Sequence, residues 1–213
     1  MRTKSTKAKR KYTKSYGGLA PDKYLNGTQV KRLHSYCKRK ARKAQLNHCR
    51  RAVVNEMLID LLLNTGLRPS ELCQLQMRDL PHCHGKPVVN VRKGKGCIQR
   101  SVQISKKLTR RITRFVKQYR PNSKPRSPLF INERDGPLSY NSLLSKIKKI
   151  GTAVGLWVTP KKFRHTYAME YYKRYRDIFA LQSQLGHADP KTTMIYARTT
   201  SEQIREQVEK FDL

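Results

Sequence analysis

The 213 residues allow one large domain, or one domain with a tail, and a sizeable core. Lys and Arg number 47 against 14 Asp and Glu, a formal net charge of +33 that points to a polyanionic partner and away from acidic small-molecule specialists and exposed secretory enzymes. The 37% apolar share is low, yet it is gathered into periodic segments, the pattern of a folded domain with a basic surface.

Residues 1–16 hold Arg2, Lys4, Lys7, Lys9, Arg10, Lys11 and Lys14 without an acid and with almost nothing apolar, so self-repulsion is expected to keep them disordered until they meet phosphate. The segment reads as a DNA-gripping tail, with plain solvation as the alternative. Behind Met1 there is no apolar run of the kind a secretory signal needs, and nowhere are there 18 or more consecutive apolar residues. A cytoplasmic or nucleoid-associated protein without membrane insertion is therefore expected. Gly17, Gly18 and Pro21 form a linker that completes a tail over residues 1–23, and the folded domain is expected over 24–200.

Between Thr28 and about Lys43, Val30, Leu33, Tyr36 and Cys37 recur at helical spacing, and Val53, Val54, Met57, Leu58, Leu61 and Leu62 make the broad apolar stripe of a second helix. That helix should stop at Thr65-Gly66, where glycine can take the left-handed position, and another should open at Pro69 and Ser70. Beyond Pro81 the period changes. Val89 and Val91 alternate, Lys93-Gly94-Lys95-Gly96 makes a turn, and Val102 and Ile104 alternate again, which predicts a β-hairpin.

Ser105 should cap a helix with Leu108, Ile112, Phe115 and Tyr119 on one face, and Leu129-Phe130-Ile131 reads as a brief strand. Leu143, Leu144 and Ile147 define a further helix, Thr159-Pro160 opens the next, and Asp177, Asp189 and Ser201 are expected as three more N-caps. The sum is a mainly α fold with a small antiparallel β-sheet, an α+β domain without internal repeats. The five cysteines, Cys37, Cys49, Cys73, Cys83 and Cys97, are odd in number and lack C-x-x-C spacing, which fits a reducing compartment. His82, Cys83 and His84 carry metal-ligating side chains, but no second ligand pair follows at zinc-finger spacing, so neither a metal nor a cofactor is expected.

Among so many basic residues the default reading of any one is a solvated phosphate contact, and context must do the sorting. Arg68 lies just past an apolar helix and three residues before Glu71, a spacing at which the carboxylate can fix the guanidinium in one orientation. Lys95 stands between glycines at the tip of the hairpin. Lys161 and Arg164 share one face of the helix opened by Pro160, and such a face could clamp one phosphate from two directions. His187 closes a helix in Leu185-Gly186-His187, and Tyr196 follows nine residues later.

The order and wording of these fragments, Thr65-Gly66-Leu67-Arg68, Gly94-Lys95-Gly96, Phe163-Arg164-His165-Thr166, Leu185-Gly186-His187 and Ile195-Tyr196-Ala197-Arg198, resemble the tyrosine recombinase (phage integrase) family from about Leu25 to the end of the chain. The resemblance implies that Arg68 and Arg164 stabilise charge on the scissile phosphate, with Glu71 in support. It implies that Lys95 protonates the departing 5′-oxygen, that His187 assists in proton handling or phosphate binding, and that Tyr196 is the nucleophile of a 3′-phosphotyrosine bond. The chemistry is consistent on its own terms. Guanidinium groups match phosphoryl oxygens and oppose the charge that grows in the transition state without a metal. A phenol with an ordinary pKa of about 10 needs a positive pocket and a nearby base, and a covalent intermediate conserves the phosphodiester energy, so no ATP site is required.

Two departures stand out. Where the family commonly has histidine ahead of the second arginine this chain has Lys161, which can donate to phosphate but cannot shuttle a proton near neutral pH unless its pKa is strongly lowered. Many members also carry a helical core-binding domain ahead of the catalytic one, whereas here the tail and linker precede the first helix, as in shorter, catalytic-domain-only members. At the other end Ile204, Val208 and Phe211 line one side of an acidic segment over 201–213, expected as an amphipathic helix. In the family such a helix docks on a neighbouring protomer; folding back on its own domain is the alternative.

The resemblance thus implies a site-specific recombinase that cuts one strand at a time, passes through a Holliday junction, and acts as a homo-tetramer on two double-stranded DNA sites, with DNA-bending accessory proteins as possible helpers. Two other readings stay open. One is a type IB-like relaxing topoisomerase using similar chemistry on one duplex, and the other a basic architectural or regulatory DNA-binding protein with a vestigial site.

Overall fold

Asn26 and Gln29 trade hydrogen bonds, each side-chain oxygen accepting the other's backbone N–H at 2.9 and 3.0 Å, and this reciprocal cap launches helix α1, Gly27–Leu46. The computed structural model describes residues 19–46, 50–92, 99–132, 134–197 and 208–209. Helix α1 turns Leu33, Cys37, Ala41 and Ala44 inward against α2, Arg50–Thr65, of which Leu58, Ile59, Leu61 and Leu62 are fully buried. A helix apolar on nearly every side belongs at the centre of a core, and α2 does pack against α1, α5 and α7. One charge is buried with it: Asp60, held by His34 Nε2 of α1 and Arg111 Nη1 of α5, each at 2.9 Å.

Helix α2 ends as its sequence dictates. Gly66 has φ +62, and a Cβ there would stand 2.4 Å from the Tyr167 ring, so both backbone and space demand glycine. Helix α3, Pro69–Cys73, follows at once. After a turn of 3-10 helix at Met77–Asp79 and the short α4, Pro81–His84, come strands β1, Val88–Val91, and β2, Arg100–Gln103. They pair antiparallel, Val88 opposite Gln103 and Val91 opposite Arg100. Ile104 falls just outside β2, although its N–H still reaches the Pro87 carbonyl at 2.9 Å. The expected hairpin tip, Lys95 included, lies outside the described residues.

Helix α5, Lys106–Tyr119, opens under the expected Ser105 cap, whose hydroxyl accepts the Leu108 N–H at 3.1 Å. The strand expected at Leu129-Phe130-Ile131 does not form. Leu129 and Phe130 are buried, but only isolated bridges flank them, Gln76 with Pro128 and Ile131 with Pro137. The residues that would extend the two pairings have their N–H groups engaged elsewhere, Leu75 with the Leu72 carbonyl at 3.4 Å and Gly136 with the Asn132 side chain at 3.1 Å, so each pairing stops where it starts.

Helices α6, Tyr140–Ala153, and α7, Pro160–Tyr175, are capped by Ser139 and Thr159, and α8, Ile178–Leu185, by Asp177, whose carboxylate accepts the Ala180 N–H at 2.9 Å. Asp189 falls one position short of its expected role: its carboxylate accepts the Lys191 N–H at 2.9 Å, while Pro190 occupies the cap of α9, Lys191–Met194. The Ser201 cap lies outside the described residues, and so does the expected 201–213 helix apart from residues 208–209. The main core gathers α1, α2, α3, the hairpin, α5 and α6; a smaller one joins Ala168, Leu181, Leu185 and Tyr196. No helix among the described residues is long and apolar enough to cross a membrane.

Candidate active site

Where the smaller core meets the larger, three helix ends converge. The turn through Gly66 delivers Arg68 to the start of α3, and one turn on Glu71 reaches back to it. The Glu71 carboxylate accepts the Arg68 N–H at 2.7 Å and Arg68 Nη1–H at 2.8 Å. From β2, Arg100 adds a fork, Nη1 and Nη2 each donating to one Glu71 oxygen at 2.8 Å. Burial alone would push the Glu71 carboxyl up, yet the hydrogen bonds and charges of Arg100 and Arg68 outweigh it and hold the carboxyl below its ordinary value. The carboxylate is therefore a fixed anchor for two guanidinium groups.

Arg164, on the first turns of α7, is buried and oriented by backbone. Its Nη1 donates to the Gly66 carbonyl at 2.6 Å and its Nη2 to the Leu185 carbonyl at 2.8 Å. Arg68 Nη2 donates to the neighbouring Gly186 carbonyl at 3.2 Å. Burial, with Arg68 next, lowers the Arg164 pKa to about 10, which leaves it charged at neutral pH. Gly186 has φ +63 and caps α8, and a Cβ there would meet Arg100 Cδ at 2.6 Å. This glycine thus provides both the carbonyl for one arginine and the room for another.

His187 has both ring nitrogens engaged. Because a guanidinium can only donate, Nε2 accepts from Arg164 Nη2 at 2.9 Å, and Nδ1–H donates to Thr193 Oγ1 at 2.8 Å. Burial and the Arg164, Arg68 and Arg100 charges depress its pKa to about 4, so the ring is neutral at pH 7. Tyr196, in the turn after α9, is 5% exposed and lies 2.7 Å from His165 Nδ1 through its hydroxyl, the rings tilted at 57°. Burial raises the phenol pKa to about 12, against a smaller downward pull from Arg164. Burial, Lys161 and Arg164 lower His165 to about 4.

Of the residues singled out in the sequence, the fold brings Arg68, Glu71, Arg164 and His187 into one hydrogen-bonded cluster, with Tyr196 beside it. Lys161 stands exposed on α7, one turn before His165 and near enough for its charge to act on that ring. Lys95 lies outside the described residues. Sequence reasoning missed two members. Arg100 carries no local signal, because its carboxylate partner lies 29 residues away. His165 does carry one, sitting at i+4 from Lys161 and so on the same helix face.

The sequence model of the phage integrase family matches residues 23–203. The tyrosine recombinase XerA of Pyrococcus horikoshii is 38% identical over 162 residues, 75% of this chain and 55% of that protein. A crystal structure of XerA recombinase superposes with a TM-score of 0.69 at 26% identity, covering 89% of this chain and 65% of the other. The pre-cleavage complex of the XerH site-specific recombinase with its difH substrate gives 0.69 at 22% identity, covering 90% and 55%, which is likeness of fold. The chain thus spans about half the length of the curated relative it matches.

Proposed function

The chain belongs to the phage integrase family, and on that premise we propose that it is a site-specific DNA recombinase that cuts one strand at a time through Tyr196 and reseals it by way of a Holliday junction. The observation that carries this reading is the pairing of Arg68 and Arg164, two guanidinium groups held by Glu71 and by helix-end carbonyls, with the Tyr196 phenol near enough for the charge of Arg164 to act on it. Two fixed cations next to one nucleophile suit a phosphodiester, whose equatorial oxygens gain charge in the transition state.

In this reading Arg68 and Arg164 bind the scissile phosphate, and Glu71 and Arg100 keep Arg68 aimed. Neutral His187 orients Arg164, Lys161 adds a phosphate contact from the exposed face of α7, and Lys95 protonates the 5′-oxygen as it leaves. Tyr196 becomes joined to the 3′-phosphate, which preserves the bond energy for religation without ATP. Double-stranded DNA is the partner, in keeping with the charge of +33 and with the substrate-bound XerH complex. A tetramer on two sites, with residues 201–213 exchanged between protomers and residues 1–23 gripping the backbone, completes the proposal.

The test is covalent trapping. The protein is incubated with nicked duplexes drawn from a genomic library and denatured, and a protein–DNA band is sought. Wild type should give a band that Tyr196→Phe abolishes while still binding DNA, because only the attacking oxygen has been removed. An undiminished band in Tyr196→Phe would overturn the assignment.

A further inference from the structure

We propose that His165 is the base of the cleavage step, its Nδ1 receiving the phenolic proton of Tyr196 as the phenol oxygen attacks phosphorus. The inference rests on Tyr196 being the nucleophile and adds to that reading the group that activates it. Geometry is the first support: Nδ1 stands 2.7 Å from the Tyr196 hydroxyl, within reach of direct proton transfer, and the neutral tautomer that carries its proton on Nε2 leaves Nδ1 free to accept.

The other basic groups nearby are committed elsewhere. His187 turns its one lone pair toward Arg164 and its N–H toward Thr193, so it has no free site for a proton. Lys161, in the position where the family commonly has histidine, is exposed, and a lysine, with an ordinary pKa of about 10.4, is a proton donor rather than an acceptor near neutral pH. His165 follows it by one helical turn. A proton acceptor therefore stands four residues along the same face from where the usual imidazole is missing.

The charges that face His165 are Lys161 and Arg164 of its own helix, with neutral His187 and Tyr196 across from it. Burial first, and then both cations, oppose a proton on the ring and keep it neutral. Arg164 also favours the phenolate of Tyr196, against the larger opposing effect of burial. A bound phosphodiester brings a negative charge among these groups and so raises the affinity of the ring for a proton at the moment of attack. As the new bond between the tyrosine oxygen and phosphorus forms, the phenol becomes far more acidic and its proton passes to Nδ1. The bond from phosphorus to the 5′-oxygen breaks, and that oxygen takes a proton from the acid, the role given to Lys95. Religation runs the same steps backwards, His165 returning its proton to the departing phenol.

The experiment is single-turnover cleavage of a nicked duplex recovered by trapping on the wild-type protein, in two forms, one with the natural 5′-oxygen and one with sulfur in its place. A thiolate leaves without an acid, so sulfur rescues loss of the acid and not loss of the base. His165→Asn keeps a hydrogen-bonding atom near Nδ1 but cannot hold a proton, and His165→Ala opens room for free imidazole. We expect both variants to bind DNA as wild type does and to cleave roughly 10²–10⁴-fold more slowly on either substrate, the span typical of a lost general base. Added imidazole should speed His165→Ala. Wild-type cleavage by His165→Asn, or recovery of either variant on the sulfur substrate, would overturn the proposal. A band that persists in Tyr196→Phe would instead overturn the recombinase reading beneath it, so the two failures are separable.

Discussion

Glu71→Gln is the most searching perturbation of the site, because it keeps the shape of the side chain and removes only its charge and two acceptor positions. The carboxylate takes four hydrogen bonds, two from Arg68 and two from Arg100. Oε1 accepts from Nη1 of both arginines and Oε2 from the Arg68 N–H and Arg100 Nη2, so an amide keeps one of these pairs at best and turns its own NH₂ against the donors of the other, Arg100 among them in either orientation. Removing one partner of a buried ion pair costs about 3–5 kcal/mol, chiefly through the charge left behind. Here Arg100 is 8% exposed and cannot escape to water, while Arg68 at 24% is partly relieved by it. The lower end, about 3 kcal/mol, is therefore expected. At about 2–4 °C per kcal/mol for a domain of this size, Tm should fall by about 6–12 °C. Urea unfolding should show a lower midpoint with an unchanged slope, since the surface exposed on unfolding is the same. A loss below about 1 kcal/mol, the worth of a surface ion pair, would refute the view that this carboxylate anchors the arginines.

Two further outcomes are expected. Gly186→Ala must bear a left-handed residue with a Cβ 2.6 Å from Arg100 Cδ; the backbone alone costs about 1–2 kcal/mol, and the displaced Arg100 should slow adduct formation in the trapping assay as well as lower Tm. Stability should also fall with acid. His165 and His187 are lowered to about 4 in the fold against an ordinary 6.5, so the unfolded chain takes up protons first and stability is lost as pH drops from about 6.5 towards 4. The lowered Glu71 acts in the same direction once pH falls below 4.5. Replacing either histidine with glutamine should flatten the upper part of that decline in a pH series of unfolding midpoints, and an unchanged slope would contradict it.

The parts of the fold legible in the sequence were those decided within a few residues. Ser105, Thr159 and Asp177 cap their helices because a short side-chain oxygen and the N–H three positions on are all the chemistry involved. Gly66 announced the end of α2 in the same local way. Legibility failed where the deciding partner was remote. Leu129-Phe130-Ile131 has the composition of a strand, but Leu75 and Gly136, which would extend its pairings, give their N–H groups to Leu72 and to the Asn132 side chain. Arg100 looked like any other cation, since nothing within its own strand says that it will meet Glu71 and the end of α8. His165 stands within a recognisable motif, but its contact with Tyr196 spans 31 residues, and nothing next to it in the chain marks it apart from Arg164.

The manner in which Arg164 is held decides what its charge can offer a ligand. Among the described residues its guanidinium is gripped by the carbonyls of Gly66 and Leu185, at the C-terminal ends of α2 and α8, and by a neutral imidazole. Helix ends carry only partial negative charge. They can aim a cation without cancelling it, whereas a carboxylate in the same place would form a closed ion pair that an arriving phosphate would have to break. Under the proposed function, alignment and neutralisation are thereby assigned to different groups, the first to the protein backbone and the second to the incoming strand. On the recombinase reading the full positive charge of Arg164 is then available to a phosphate, and the same backbone contacts make its direction depend on how α2 and α8 terminate, so that Gly66 and Gly186 set the angle of the guanidinium.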